Sequence, residues 1–219
     1  MAHYWIDYLQ EVDLDAVQAI DAMSFSTPWS RATYLQELRS PQHHRYVGAR
    51  FSAQPAVPPA QTVSTLRNRL RTLLRPQPVV PRSAGSLIGH GGIMRTAGVG
   101  HITTLAVAPH HRGHGIGALL LLGLIEQAYD LQVRRVELEV RVSNIHAQRL
   151  YTTFGFTCVA RIPDYYPDNG EDADVMCIPD ISTIAFRELL KARSDALYLR
   201  LQHDKAPVPQ VPAPDQAES

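Results

Sequence analysis

Apolar and polar positions recur in short blocks along the chain, and their period switches between two and three to four residues. Tyr4-Trp5-Ile6-Asp7-Tyr8 predicts a first strand, and Leu14, Val17 and Ile20 then share one face of a helix that Asp13 would cap. Ser30 would cap a second helix through Tyr34, Leu35 and Leu38. Strands are predicted at 45–51, 86–94 and 100–107, followed by a long apolar helix that begins near Gly115 and carries Ala118 to Ile125. Val136-Glu137-Leu138-Glu139-Val140 alternates with period two, as a half-buried strand does. Ser143-Asn144 caps a helix running through Tyr151 to Phe154-Gly155-Phe156, and strands at 156–161 and 175–178 close the pattern. Mixed strands with helices between them predict an α/β sandwich.

Two stretches fall outside this rhythm. Proline-rich segments at 53–59 and 76–81 flank a helical pattern of Val63, Leu66, Leu70, Leu73 and Leu74, with Arg67, Arg69, Arg71 and Arg75 elsewhere on its surface. After Pro179, apolar spacing from Ile181 predicts a helix continuing to Leu201, and the Pro/Ala-rich 206–219 predicts a disordered tail. The expected organisation is one domain over 1–178 with an insertion at 52–85, an appended helix at 179–205 and the tail.

Length and composition suit one globular domain: 219 residues, 45% hydrophobic. An acid at Asp7 gives no apolar leader, and the run Ala118 to Ile125 is far short of the ~20 residues a bilayer requires, so a cytoplasmic protein is expected. Cys158 and Cys177 have no metal spacing and are expected to be reduced. The net charge is zero, yet no Asp or Glu lies between Glu37 and Glu126, an interval rich in arginine and histidine. Such a basic half suits a polyanionic cofactor or nucleic acid. The basic helix of the insertion could touch RNA or an anionic membrane; a surface decoration is the expectation.

The densest candidate chemistry is His110-His111-Arg112-Gly113-His114-Gly115-Ile116-Gly117-Ala118, between an apolar strand and an apolar helix. Glycines at a helix start let backbone N–H groups approach an anion that the helix dipole favours, so the segment is a candidate pyrophosphate cradle. A nucleotide-triphosphate loop is excluded, because Ala118-Leu119 stands where Lys and Ser/Thr are needed. Gly113, Gly115 and Ala118 satisfy the dinucleotide spacing G-x-G-x-x-A, with Glu137 and Glu139 downstream. Against this, 109–112 separates the strand from the first glycine, and only a short helix and a hairpin follow Glu139. The third fit is Arg112-x-x-Gly115-x-Gly117. The three histidines lack accompanying acids or cysteines, so no metal site is expected.

Arg112-x-x-Gly115-x-Gly117 resembles motif A of the GNAT superfamily of N-acetyltransferases, Q/R-x-x-G-x-G/A. Leu138-Glu139-Val140-Arg141-Val142-Ser143-Asn144, Ala147, Leu150-Tyr151 and Phe154-Gly155-Phe156 look like its second motif. Ser24-Phe25, Pro28-Trp29-Ser30, Tyr165-Tyr166-Pro167, Glu171-Asp172-Ala173 and Met176 resemble signatures of the RimI-like protein N-terminal acetyltransferases. The resemblance covers about 4–51 and 86–178.

It implies the GNAT fold, a mostly antiparallel mixed sheet flanked by helices with a splayed central strand pair, and acetyl-CoA as donor. It further implies a protein N-terminus as acceptor, such as the alanine terminus of a ribosomal protein. Glu139 stands at the family's base position and Tyr151 where a phenol protonates the departing thiolate. Glu137, two residues before Glu139 on the same face, is equal to it without the motif. Leu105, Ala106 and Val107 would offer backbone groups to the pantetheine arm. Arg112, Gly113, His114, Gly115, Ile116, Gly117 and Ala118 would hold the pyrophosphate, and Asn144 would meet the pantetheine. Phe25, Pro28, Tyr34, Tyr165 and Tyr166 would wall the peptide slot. Acetylation of a small amine, or a non-catalytic acyl-CoA-binding module, are the competing expectations; the oligomeric state stays open.

Overall fold

In the computed structural model, which describes residues 3–53 and 85–203, seven strands form one sheet in the order β1-β2-β3-β4-β5-β7-β6. The strands are β1 (His3–Tyr8), β2 (His44–Ser52), β3 (Ser86–Thr96), β4 (Val99–Val107), β5 (Arg135–Arg141), β6 (Thr157–Tyr166) and β7 (Glu171–Ile178). The helices are α1 (Leu14–Ala22), α2 (Arg31–Leu38), α3 (Ile116–Asp130), α4 (Ile145–Thr153) and α5 (Ile184–His203). Every neighbouring pair is antiparallel except β4 and β5, which run parallel. The helix expected within the insertion and the tail beyond 203 lie outside the described residues.

Side chains of successive strand residues point to opposite faces, and β3 uses this to separate two cores. A Cβ added to Gly89 or Gly91 would meet Leu120 or Leu124 of α3. Between them His90 points the other way, to Asp21 and Tyr34 of α1 and α2. Helix α3 is apolar from Ile116 to Ile125 and correspondingly buried without a break from Leu119 to Ile125. Around it gather Val136, Leu138 and Val140 of β5, and Phe186, Leu190 and Leu197 of α5. The appended helix is thus part of the main core.

The smaller core holds a polar centre. Tyr34 donates to Asp21 at 2.6 Å and His90 Nε2 lies 2.7 Å from the other carboxylate oxygen, all three side chains being essentially inaccessible. Three sequence expectations change here. Asp13 precedes α1 but does not cap it with its side chain; the carboxylate takes the Gln10 N–H and Arg50 instead. Both β6 and β7 extend well beyond their predicted bounds, because their long hairpin supplies the pairing that each strand's own composition leaves open. Tyr34 is 1% exposed and packs between Trp29, Tyr46 and His90, so it is core and not a wall of a peptide slot.

Truncating Asp21 would leave two buried partners unpaired. Asp21→Ala should cost roughly 3–5 kcal/mol and Tyr34→Phe about 1–3 kcal/mol, read from urea midpoints. Equal midpoints for wild type and Asp21→Ala would show that this centre carries no stability.

Candidate active site

The site begins where the sheet opens. β4 and β5 pair only over Val99↔Arg135, Gly100↔Val136 and His101↔Glu137, and then part. Close approach at the start is possible because Gly100 has no side chain; a Cβ there would lie 2.8 Å from Val133 and 3.0 Å from Ile93. Two residues after the last of these pairs β4 carries a bulge at Thr103, since Gly92 pairs with Thr104 and Ile93 with Ile102. Bulges bend a strand and end its pairing. From Ile102 onward the β5-facing edge of β4 is therefore open, and Leu105, Ala106 and Val107 can pair an amide-bearing arm as a strand would.

The chain leaves β4 through the turn Pro109–His111 and reaches Gly113 and Gly115, both left-handed at φ +81° and +83°. Gly115 is the N-cap of α3, whose first N–H groups, at Ile116, Gly117 and Ala118, have no intrahelical partner and carry the positive end of the dipole. Nothing lies within 4 Å of a Cβ built on Gly113, so space for a bulky anion exists there. On Gly115 a Cβ would meet Leu197 of α5 at 2.8 Å, and Arg200 of α5 donates to the Gly113 carbonyl. Arg112 turns back, giving Nε to the Val107 carbonyl at 2.9 Å and Nη2 to Ser24 Oγ at 3.0 Å. It joins the end of β4 to the α1–α2 loop. His110 is exposed, and His111 stacks on Phe51 with its pKa lowered by burial, then by His114 and His110. Among the described residues no group of side chains could hold a metal ion.

On the other bank, Asn144 caps α4 by accepting the Ala147 N–H at 3.1 Å, which engages its carbonyl oxygen and leaves its amide N–H₂ as the donor. Gln148 ties α4 back to β5 through the carbonyls of Arg141 and Val142. Tyr151, one turn on, is buried against Phe156, and burial, then Tyr166, pushes its phenol up to about 12. It is firmly protonated at neutral pH, as a proton donor must be.

Glu137 and Glu139 project from the same face of β5, and the structure separates them. Arg135 pairs with Glu137 at 3.0 Å. Glu139 instead meets His101 Nε2 at 2.9 Å across the opening between the strands. Burial chiefly raises the pKa values of Tyr165 and Tyr166, and the Glu139 charge adds to both. Glu139, Tyr151, Tyr165 and Tyr166 thus share one neighbourhood.

Arg141, the last residue of β5, organises the entrance. Its guanidinium holds Asp168 through two 2.8 Å contacts, Asn169 at 3.0 Å and Glu171 at 3.1 Å, and lies 3.8 Å from the centre of the Tyr166 ring. Hydrogen bonds from Arg141 and then Ser26 hold Asp168 below the usual carboxylate range, and the Ser26 contact is 2.5 Å. Glu171 is drawn down to about 2, chiefly by Ser143. The α1–α2 loop and the β6–β7 turn are thereby tied together. Phe25 and Tyr165, at 38% and 43% exposure, and exposed Pro28 belong to these same segments. Sequence reasoning missed His101, Arg141, Ser26 and Asp168. The one available signal was His101, a titratable side chain in a strand whose other polar residues are only Thr103 and Thr104.

A forked sheet with an anion cradle on one bank, and a carboxylate and a protonated phenol on the other, defines a coenzyme A-dependent acyltransferase. Residues 51–156 match the acetyltransferase (GNAT) family. The chain is 31% identical over 166 residues to a Bacillus subtilis (strain 168) protein assigned as a [ribosomal protein bS18]-alanine N-acetyltransferase, covering 76% of this chain and 89% of that one. It is 30% identical over 177 residues to N-alpha-acetyltransferase RimI of Mycobacterium tuberculosis (78% and 89% covered). The crystal structure of the ribosomal-protein-S18-alanine N-acetyltransferase from Escherichia coli has the same fold, with a TM-score of 0.57 at 22% identity over 81% of this chain and 94% of that one. The chain belongs to the GNAT acetyltransferase family, as a RimI-like N-acetyltransferase whose donor is acetyl-CoA.

Two measurements test this site. Asp tolerates left-handed backbone, so Gly113→Asp adds charge at an uncrowded position. It should weaken acetyl-CoA binding at least about tenfold by calorimetry, with Gly113→Asn nearly normal. Tyr151→Phe should lower turnover by roughly 10²–10⁴ with acetyl-CoA affinity kept. Turnover within a few-fold of wild type would remove Tyr151 from the chemistry.

Proposed function

We propose that this enzyme acetylates the N-terminal α-amine of a protein, with an alanine terminus of a ribosomal protein as its substrate. The observation that carries this is the position of Glu139 where β4 and β5 part, near Tyr165 and Tyr166, with the α1–α2 loop and the β6–β7 turn tied to each other beyond them. A chain terminus can be threaded between two such segments, and relatives named as bS18-alanine N-acetyltransferases support that substrate class. An α-ammonium at pKa ~7.7–8.0 is within reach of a carboxylate base, whereas a lysine at ~10.4 is far harder to deprotonate.

When bound, acetyl-CoA supplies the thioester carbon and the sulfur leaving group. Leu105 to Val107 pair its amide arm, the turn from Arg112 to Ala118 receives its pyrophosphate, and Asn144 donates to the pantetheine. Glu139 takes a proton from the substrate ammonium, and Tyr151 gives one to the departing sulfur. Phe25, Pro28, Tyr165 and Tyr166 contact the first residues of the peptide. Residues 1–178 form the catalytic unit, to which α5 is joined.

A panel of free peptides incubated with enzyme and acetyl-CoA, read by mass spectrometry, tests the acceptor class. Peptides starting with Ala should gain one acetyl group at the α-amine, and Nα-blocked peptides with an internal lysine should gain none. Acetylation confined to lysine side chains or to polyamines would overturn it.

A further inference from the structure

Helix α5 lies beyond the segment that matches the acetyltransferase family, which ends at residue 156, yet it reaches the donor site. Leu197 and Leu201, one turn apart, lie 2.8 Å and 3.8 Å from where a Cβ on Gly115 would stand. The glycine that opens α3 therefore also lets α5 approach the cradle. Arg200 shares this face of α5, three residues after Leu197. Its Nη2 donates to the carbonyl of Gly113, the residue whose Cβ position is uncrowded.

Two features set Arg200 apart. Arg134, Arg135, Arg141 and Arg161 each pair with a carboxylate. The partner of Arg200 among the described residues is a backbone carbonyl. That bond engages one N–H of the guanidinium and leaves further donors in a planar fork. Arg112, the arginine of the glycine motif itself, is turned back, with Nε on the Val107 carbonyl and Nη2 on Ser24. The arginine at the rim of the cradle thus comes from α5 and not from the loop.

We propose that Arg200 is a phosphate-binding residue for the acyl donor, so that α5 completes the donor site from outside the acetyltransferase core. This rests on the assignment of the cradle given above.

The physical reason is charge. Coenzyme A carries a pyrophosphate and, on its ribose, a phosphate monoester that holds about −1.5 to −2 charges near neutral pH. The start of α3 offers the N–H groups of Ile116, Gly117 and Ala118 and roughly half a positive charge. Most of the ligand's charge is left for side chains to meet. A guanidinium answers it with a full charge and a fork that fits two phosphate oxygens at once. Tethered at the Gly113 carbonyl, between two leucines packed on the cradle, Arg200 has less freedom to lose on binding than a loose surface arginine. Its side chain is exposed, so a ligand can reach it without disturbing the core.

Calorimetry on the full chain with coenzyme A tests this. Arg200→Gln keeps a donor for the Gly113 carbonyl and removes the charge, whereas Arg200→Lys keeps the charge. Arg200→Gln should weaken binding about tenfold, as for one charge-assisted contact at an exposed site, and Arg200→Lys by no more than about threefold. The gap between wild type and Arg200→Gln should narrow as salt is raised from about 0.05 M to about 0.5 M. With 3′-dephospho-coenzyme A, a vanished gap places the guanidinium on the monoester and an undiminished gap places it on the pyrophosphate; either upholds the proposal. Equal losses in the two variants, a gap that ignores salt, or unchanged affinity would reduce Arg200 to a brace of the turn and overturn it. Gly113→Asp keeps the two readings distinct. If it leaves affinity unchanged, the cradle itself falls; a loss there with none in Arg200→Gln overturns this proposal alone.

Discussion

The structure depends on one constraint, the short parallel contact between β4 and β5. Three register pairs hold the two halves of the sheet together, and their parting creates the site. Gly100 lets the strands meet, because any Cβ would press on Val133 and Ile93. The bulge at Thr103 then turns β4 away. An exposed strand edge would ordinarily invite pairing with another chain. Here the open edge of Leu105 to Val107 faces the gap left where β4 and β5 part, and not a free outer edge of the sheet.

Around this fork, polar contacts do what apolar packing cannot. Apolar burial is non-directional and supplies the bulk of the driving force, as in the unbroken run of α3. Direction comes from groups such as Arg141, whose planar guanidinium engages Asp168, Asn169 and Glu171 at once and so sets the turn between β6 and β7 relative to the α1–α2 loop. Arg112 performs a similar service two residues earlier in that loop by reaching Ser24. The α1–α2 loop is thus anchored to the end of β4 by one arginine and to the far hairpin by another, so the two banks are mechanically connected through it.

The C-terminal helix adds a second contact of consequence. Leu197 and Leu201 of α5 lie over Gly115, while Phe186 and Leu189 lie by Gly155 at the end of α4. Helix α5 therefore spans from the end of α4 to the start of α3, bracing the cradle from outside. Its apolar residues fill a surface that the glycines of the cradle, having no side chains, could not cover themselves.

Much of this was legible in the sequence. Period-two alternation placed β5, the apolar run placed α3, Ser30 and Asn144 marked true helix caps, and the glycine spacing located the start of α3. These are local properties, set by the backbone preferences and face of each segment. What the sequence left level was Glu137 against Glu139, since both share a face and a strand. The structure gives them different nearest partners, Arg135 for Glu137 and His101 for Glu139, and His101 arrives from a strand 38 positions earlier by way of a parallel pairing that leaves no local trace. Tyr34 went to the core for the same reason, because Asp21 and His90, apart in sequence, converge on its hydroxyl side. Segment identity was written in local chemistry; the environment of each functional side chain was decided only when distant strands met, because charge and burial depend on neighbours in space.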